Sequence, residues 1–145
     1  MTTRTLYVAE PRALWLARPP VVADCSVLAA LLFAEPQAEE AAALLQQRAV
    51  HAPTLLPYEL ASVARKKQRA GATPVEIDTA LTDFAEQRIE LHPVPLADVT
   101  ALAAQYGLSA YDAAYLWLAV ELRAPLLTFD HRLARAAQQQ LGRTD

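Results

Sequence analysis

One cysteine, Cys25, stands alone in 145 residues, which excludes an internal disulfide framework and a cysteine-rich zinc site. Histidine is scarce as well. No two of His51, His92 and His131 sit at the i, i+4 spacing of a helical zinc pair. With no such Cys/His set in view, any metal site is expected to be built from oxygen. Glycine occurs three times and proline ten, so neither a collagen-like nor a low-complexity chain is consistent. No apolar run reaches the ~20 residues that span a bilayer. The first twenty residues also lack the unbroken apolar stretch of a secretory signal, because Glu10, Arg12 and Arg18 interrupt it. The expectation is a soluble, cytoplasmic protein with no membrane partner. Net charge is −3, so nucleic-acid binding through overall positive charge is excluded and only a local basic patch could serve.

What remains is rich in apolar residues. The chain is 54% hydrophobic and 20% charged, a globular balance rather than a disordered one. At this length one domain can withdraw roughly 70% of its unfolded surface from water. Short β-like runs alternate with helical stretches. Val21-Val22-Ala23 reads as a first strand entering Asp24, with Ser26 as cap of a helix over 27–33. Helix is predicted over 38–48, and Val50-His51-Ala52 reads as a second strand. A helix over 58–70 stops at Gly71. Thr73-Pro74-Val75-Glu76 is a capping box opening a helix to Gln87. A third strand is expected over 89–94, near an edge because of Pro93. Helices follow over 96–106, ending at Gly107, and 110–122, opened by a second box at Ser109 and Asp112. A buried strand over 125–128 and a last helix over 131–140 complete the chain, with 141–145 read as a frayed tail. Alternating strands and helices imply a parallel sheet covered on both faces, with functional groups at the carboxyl ends of its strands.

Four acids stand where such a sheet would gather them. Asp24 and Asp130 follow strands, and Glu59 and Asp112 lie in first turns of helices. Each has a plain structural role available as a cap or dipole partner. Asp112 is the sharpest, because its helix is apolar on every side and a buried carboxylate is costly unless paired or bound to a cation. Gathered acids cannot all stay ionised without compensation. A hard divalent ion with oxygen ligands, such as Mg2+ or Mn2+, removes the penalty and suits phosphodiester hydrolysis.

The ordered blocks VVADCSVLAALLF, PTLLPYELASVARKK and LSAYDAAYLWLAVELRAPLLTFDHRLARAA resemble the PIN-domain ribonucleases, particularly the toxins of VapBC toxin–antitoxin pairs. The resemblance spans about residues 21–137. It implies an α/β fold, a three-layer α/β/α sandwich with a central parallel sheet over 21–140. It carries metal-binding and catalytic acids onto Asp24, Glu59, Asp112 and Asp130, with Ser26 and Thr128 as hydroxyls orienting them. It implies metal-dependent endoribonuclease activity with Mg2+ or Mn2+, leaving a 5′-phosphate and a 3′-hydroxyl. It also implies an RNA substrate, a cognate antitoxin protein that blocks the acidic site, and a homodimer. The chain departs from the family in the twenty residues before its first strand. There Tyr7-Val8 is a candidate edge strand and Trp15 a candidate interface residue.

Arg65-Lys66-Lys67-Gln68-Arg69 is the concentrated basic run, and Lys66 lies seven residues from Glu59 on the same helix side. Lys66, Arg69 and Arg132 are candidate RNA contacts, with Arg135 a further one; each could equally be a solvated surface residue. Tyr58 and Tyr111 precede proposed acids, where core packing or interface burial is favoured over base stacking. Trp117 is expected in the core, Cys25 as a small buried hydrophobe and His131 at the surface. Two other readings compete. One is a non-catalytic PIN-like scaffold that binds RNA or a protein. The other is a haloacid-dehalogenase-type phosphatase, for which Asp24-Cys25-Ser26 lacks the second Asp of D-x-D.

Overall fold

The computed structural model describes residues 18–142. Four parallel strands form the sheet: β1 (Pro20–Ala23), β2 (Ala49–Pro53), β3 (Glu90–His92) and β4 (Leu126–Leu127). Their order is β3-β2-β1-β4. Seven helices are described: α1 (Cys25–Leu32), α2 (Ala38–Leu45), α3 (Leu56–Arg69), α4 (Pro74–Glu86), α5 (Leu96–Tyr106), α6 (Ala110–Leu122) and α7 (His131–Leu141). The expected N-terminal edge strand at Tyr7-Val8, the interface role of Trp15 and the last three residues lie outside the described part.

The order of strands decides the layers. The chain steps from β1 through β2 to β3 in one direction, then returns past β1 to lay down β4. Right-handed crossovers put the helices of these opposite steps on opposite faces. The packing agrees: α1 packs against α2, α3 and α4, while α6 packs against α5 and α7 and on β1, β2 and β4. The result is a three-layer α/β/α sandwich. Strand order reverses between β1 and β4, so a crevice opens at their carboxyl ends, the usual ligand position in such sheets.

Sequence chemistry accounts for the elements. Val21, Val22 and Ala23 are fully buried, as a central parallel strand requires. The Thr73–Glu76 capping box forms in both directions. Gly107 closes α5 at φ 64°, a left-handed conformation that glycine adopts without a Cβ penalty. The third strand is shorter than the expected 89–94. Pro93 has no N–H to donate, and among the described residues β3 pairs with β2 alone. The first helix is capped by Asp24, not by Ser26, and so begins two residues earlier than expected. Leu141, expected in a frayed tail, ends α7 and packs against the core.

The core is continuous from β1 into α6, whose Ala113, Ala114, Tyr115, Leu116, Leu118 and Ala119 are buried. Trp117 is partly buried against it. Among the described residues no helix is long and apolar enough to cross a membrane. Leu116→Ala, at a side chain with 0% exposure, is expected to cost about 2–5 kcal/mol in chemical denaturation. Val75→Ala, 73% exposed, should stay within about 0.5 kcal/mol. Equal effects of the two would contradict this placement of the core.

Candidate active site

The crevice between β1 and β4 gathers the acids. Asp24 directly follows β1, and its backbone N–H donates to Leu127 O of β4 at 3.1 Å. It is the one buried charged side chain among the described residues. Its Oδ1 accepts from Ser26 Oγ at 2.6 Å and from the Val27 N–H at 3.2 Å. Its Oδ2 accepts from Thr128 Oγ1 at 2.5 Å. These bonds fix the carboxylate and cap α1 together. Burial still pushes the Asp24 carboxyl above its ordinary value, against the pull of Ser26, Thr128 and the helix N–H groups.

Glu59 enters from the first turn of α3. Its Oε1 accepts from the phenol of Tyr115 at 2.7 Å. Burial raises its pKa, the Tyr115 bond opposes this, and Asp112 and Asp24 raise it further. Asp112 stands in the first turn of α6. It is half-buried rather than fully buried, because its turn opens at the crevice while the rest of the helix runs into the core. Ser109 caps α6 by accepting from the Asp112 N–H at 3.1 Å. Burial, then Asp130 and Asp24, raise the Asp112 pKa; Ser109 and Arg132 oppose them. Asp130 is exposed, caps α7 through the Leu133 N–H at 2.9 Å, and donates its own N–H to Thr128 Oγ1 at 2.9 Å.

The structure therefore brings all four predicted acids into one electrostatic neighbourhood, and the predicted hydroxyls with them. Thr128 links Asp24 to Asp130 through a single oxygen. Ser26 links Asp24 to the turn after β4 by accepting the Phe129 N–H at 3.0 Å. The four acids stand open, with no three of them bringing ligand oxygens within 4.8 Å of one another. An open set of this kind matches an ion that keeps several waters and binds one or two carboxylates directly. The donors are all oxygen and the four acids outnumber the two cations near them, Lys66 and Arg132, so the residues fit a hard divalent cation.

The other candidates separate. Lys66 lies close enough to offset part of the shift on Cys25, whose thiol burial, Glu59 and Asp24 push up to about 12. Cys25 thus stays a protonated, buried residue. Arg69 is three residues beyond Lys66, turned about 80° from the side of Glu59 and roughly 15 Å along the helix from it. Lys67 instead pairs with Glu35 at 2.8 Å and lies over the Phe33 ring. Arg132 is exposed next to Asp112, and His131 is exposed as expected. Tyr58 and Tyr111 are 80% and 63% exposed, which overturns core packing and leaves both rings free for an interface or for bases. Both sit in first turns at the crevice, where the chain has just left buried structure. Tyr115 was not anticipated. Its spacing of three from Asp112 on one helix was the available signal, together with the need of a buried phenol for a partner.

The sequence profile of the PIN domain matches residues 21–139. This chain belongs to the PIN-domain family. Ribonuclease VapC3 of Pyrobaculum aerophilum is 32% identical over 120 residues, covering 79% of this chain and 92% of that one. Ribonuclease VapC3 of Mycobacterium tuberculosis is 34% identical over 122 residues, covering 81% and 89%. A crystal structure of PAE2754 from Pyrobaculum aerophilum superimposes with a TM-score of 0.62 at 20% identity, covering 86% of this chain and 93% of that one. At that identity the structural match speaks to the fold.

A carboxyl whose pKa is raised by folding binds more protons folded than unfolded, so stability falls as pH rises through the raised value. In chelator at neutral pH, Asp112→Asn should therefore raise the melting temperature of this PIN domain. The gain should vanish at acidic pH, where the native Asp112 is protonated. A variant that melts lower than the parent at neutral pH would contradict the repulsion.

Proposed function

We propose that this PIN domain is a metal-dependent endoribonuclease acting as the toxin of a VapBC-type pair. One observation carries the reading: desolvated carboxylates from three separate elements converge at the switch point of a parallel sheet, with Asp130 linked to them through Thr128. The curated relatives named ribonuclease VapC supply the substrate class.

Asp24, Glu59, Asp112 and Asp130 would together hold Mg2+ or Mn2+. Such an ion supplies positive charge for the scissile phosphate and lowers the pKa of the attacking water. The chain does the rest. Ser26 and Thr128 hold Asp24 in one rotamer, so its oxygens need no reorganisation during the reaction. Tyr115 donates to Oε1 of Glu59, which fixes that carboxylate and leaves Oε2 available as its ligand atom. Hydrolysis adds water across the P–O3′ bond: its oxygen joins phosphorus to give the 5′-phosphate as one proton leaves to solvent, and the departing O3′ takes a proton from solvent to become the 3′-hydroxyl. Lys66 and Arg132 flank the acids and neutralise RNA phosphates approaching them. Arg69 contacts only a more distant phosphate. Tyr58 and Tyr111 present exposed rings on which unpaired bases stack.

A crevice lined by acids is also a natural target for a basic antitoxin segment, which would occlude it by charge complementarity. The PIN domain is proposed to span residues 21–140 and to work in the cytoplasm as a homodimer, with residues 1–20 as an added edge strand or interface element.

Cleavage of total RNA should require Mg2+ or Mn2+ and fall at least about 100-fold in Asp24→Asn and in Asp112→Asn. Folded variants that cleave at parental rates would refute catalysis. Tight metal-independent RNA binding without turnover would favour the scaffold reading instead. Arg132→Ala should raise KM with kcat nearly kept, and should lower the salt dependence of RNA binding by about one phosphate contact. An unchanged KM and salt slope would remove Arg132 from the RNA path.

A further inference from the structure

His51 and His92 are forty-one residues apart in sequence, yet their rings meet. The β2–β3 register pairs His51 with Glu90 and Pro53 with His92. Side chains two apart on a strand share a face, and paired residues on neighbouring strands share it too. His51, Glu90 and His92 therefore rise from one side of the sheet, at its β3 edge. His51 Nδ1 lies 2.8 Å from His92 Nε2 and 3.5 Å from Glu90 Oε2. All three ligand atoms fall within 4.8 Å of one another. No two histidines have the spacing of a helical pair, yet long-range strand pairing brings two imidazoles together, so an oxygen-only donor set does not follow from local spacing.

We propose that His51, Glu90 and His92 form a second cation site, for one borderline transition-metal ion of the Zn2+ class, clamping the edge strand β3 to β2. Two imidazoles and a carboxylate are a donor set that selects such ions over Mg2+. Nitrogens each about 2.0–2.1 Å from a tetrahedral zinc stand roughly 3.3 Å apart. The rings need open by only about half an ångström from their present hydrogen-bonded contact to admit the ion between them. Desolvation favours neutral His51, the form that binds metal, and Glu90 opposes that preference. His51 is largely covered, with 13% of its side chain exposed, whereas Glu90 is 68% exposed. The ion would sit at the surface, with its fourth position open to water.

The clamp has a mechanical role. β3 is three residues long, stops before Pro93 and, among the described residues, pairs with β2 alone. The Thr54 N–H donates to His92 O at 2.9 Å, so the same ladder runs on into the turn that precedes α3. Tying His92 to His51 holds this end of the sheet. The site lies on the far side of β2 from the β1–β4 crevice and does not depend on the catalytic reading.

Titration of the full, tag-free chain with Co2+, read by its visible d–d absorption, tests the proposal. In millimolar Mg2+, which competes for the oxygen-only pocket, one Co2+ per chain with the intense absorption of tetrahedral coordination is expected, displaced by stoichiometric Zn2+. The spectrum and stoichiometry should persist in Asp112→Asn. Affinity should fall at least about tenfold in His92→Gln. Glu90→Gln, at an exposed edge position that preserves the fold, should weaken it measurably. Zn2+ should raise the melting temperature of the parent more than that of Glu90→Gln. Parental Co2+ binding in both His92→Gln and Glu90→Gln, loss of binding in Asp112→Asn, or no Co2+ bound by the parent would each overturn the site.

Discussion

Asp24, Glu59 and Asp112 share a partly desolvated pocket in which each raises the proton affinity of the others or is raised by them. Folding forces these charges together against their mutual repulsion. The cost falls on stability, because burial and like charge both disfavour the ionised forms. It is carried by a core that is otherwise apolar and closely connected from β1 to α6. A site organised this way is held ready for positive charge. The hydroxyls of Ser26, Thr128 and Tyr115 restrain the carboxylates without cancelling them, since neutral donors orient an anion and leave its charge available.

Topology explains why the acids meet. Asp24 and Asp130 follow neighbouring parallel strands and must emerge at the same edge. Glu59 and Asp112 open helices that pack towards that edge from the two outer layers. The two strand-end acids also cap helices, Asp24 for α1 and Asp130 for α7. Capping and ion binding are therefore compatible roles here: one oxygen serves the helix N–H while the carboxylate keeps its charge. Asp112 differs, because Ser109 takes the cap and leaves the Asp112 carboxylate to the pocket.

Much of this was legible beforehand because it is local. The Thr73–Glu76 capping box, the Ser109 cap, Gly107 and the unbroken apolar run of α6 announce themselves within a few residues, and a βα alternation constrains where strand-end acids go; the expected box at Ser109 and Asp112 forms only its Ser109 half. Three features were hidden because they depend on distant partners. Tyr115 reads as one more core aromatic until Glu59, fifty-six residues away, is placed against it. The exposure of Tyr58 and Tyr111 depends on where the crevice opens, which local apolar pattern does not encode. His51 and His92 meet only through the register of β2 with β3, so spacing rules for helical ligands pass them by.

The two proposed cation sites divide by chemistry as well as by place. One offers only oxygens at the switch point; the other offers imidazoles at the sheet edge. Anomalous diffraction from a crystal soaked in Mn2+ tests the first most directly. The account predicts a manganese peak bounded by Asp24, Glu59, Asp112 and Asp130. Density confined to other parts of the molecule, with this pocket empty at saturating Mn2+, would contradict it.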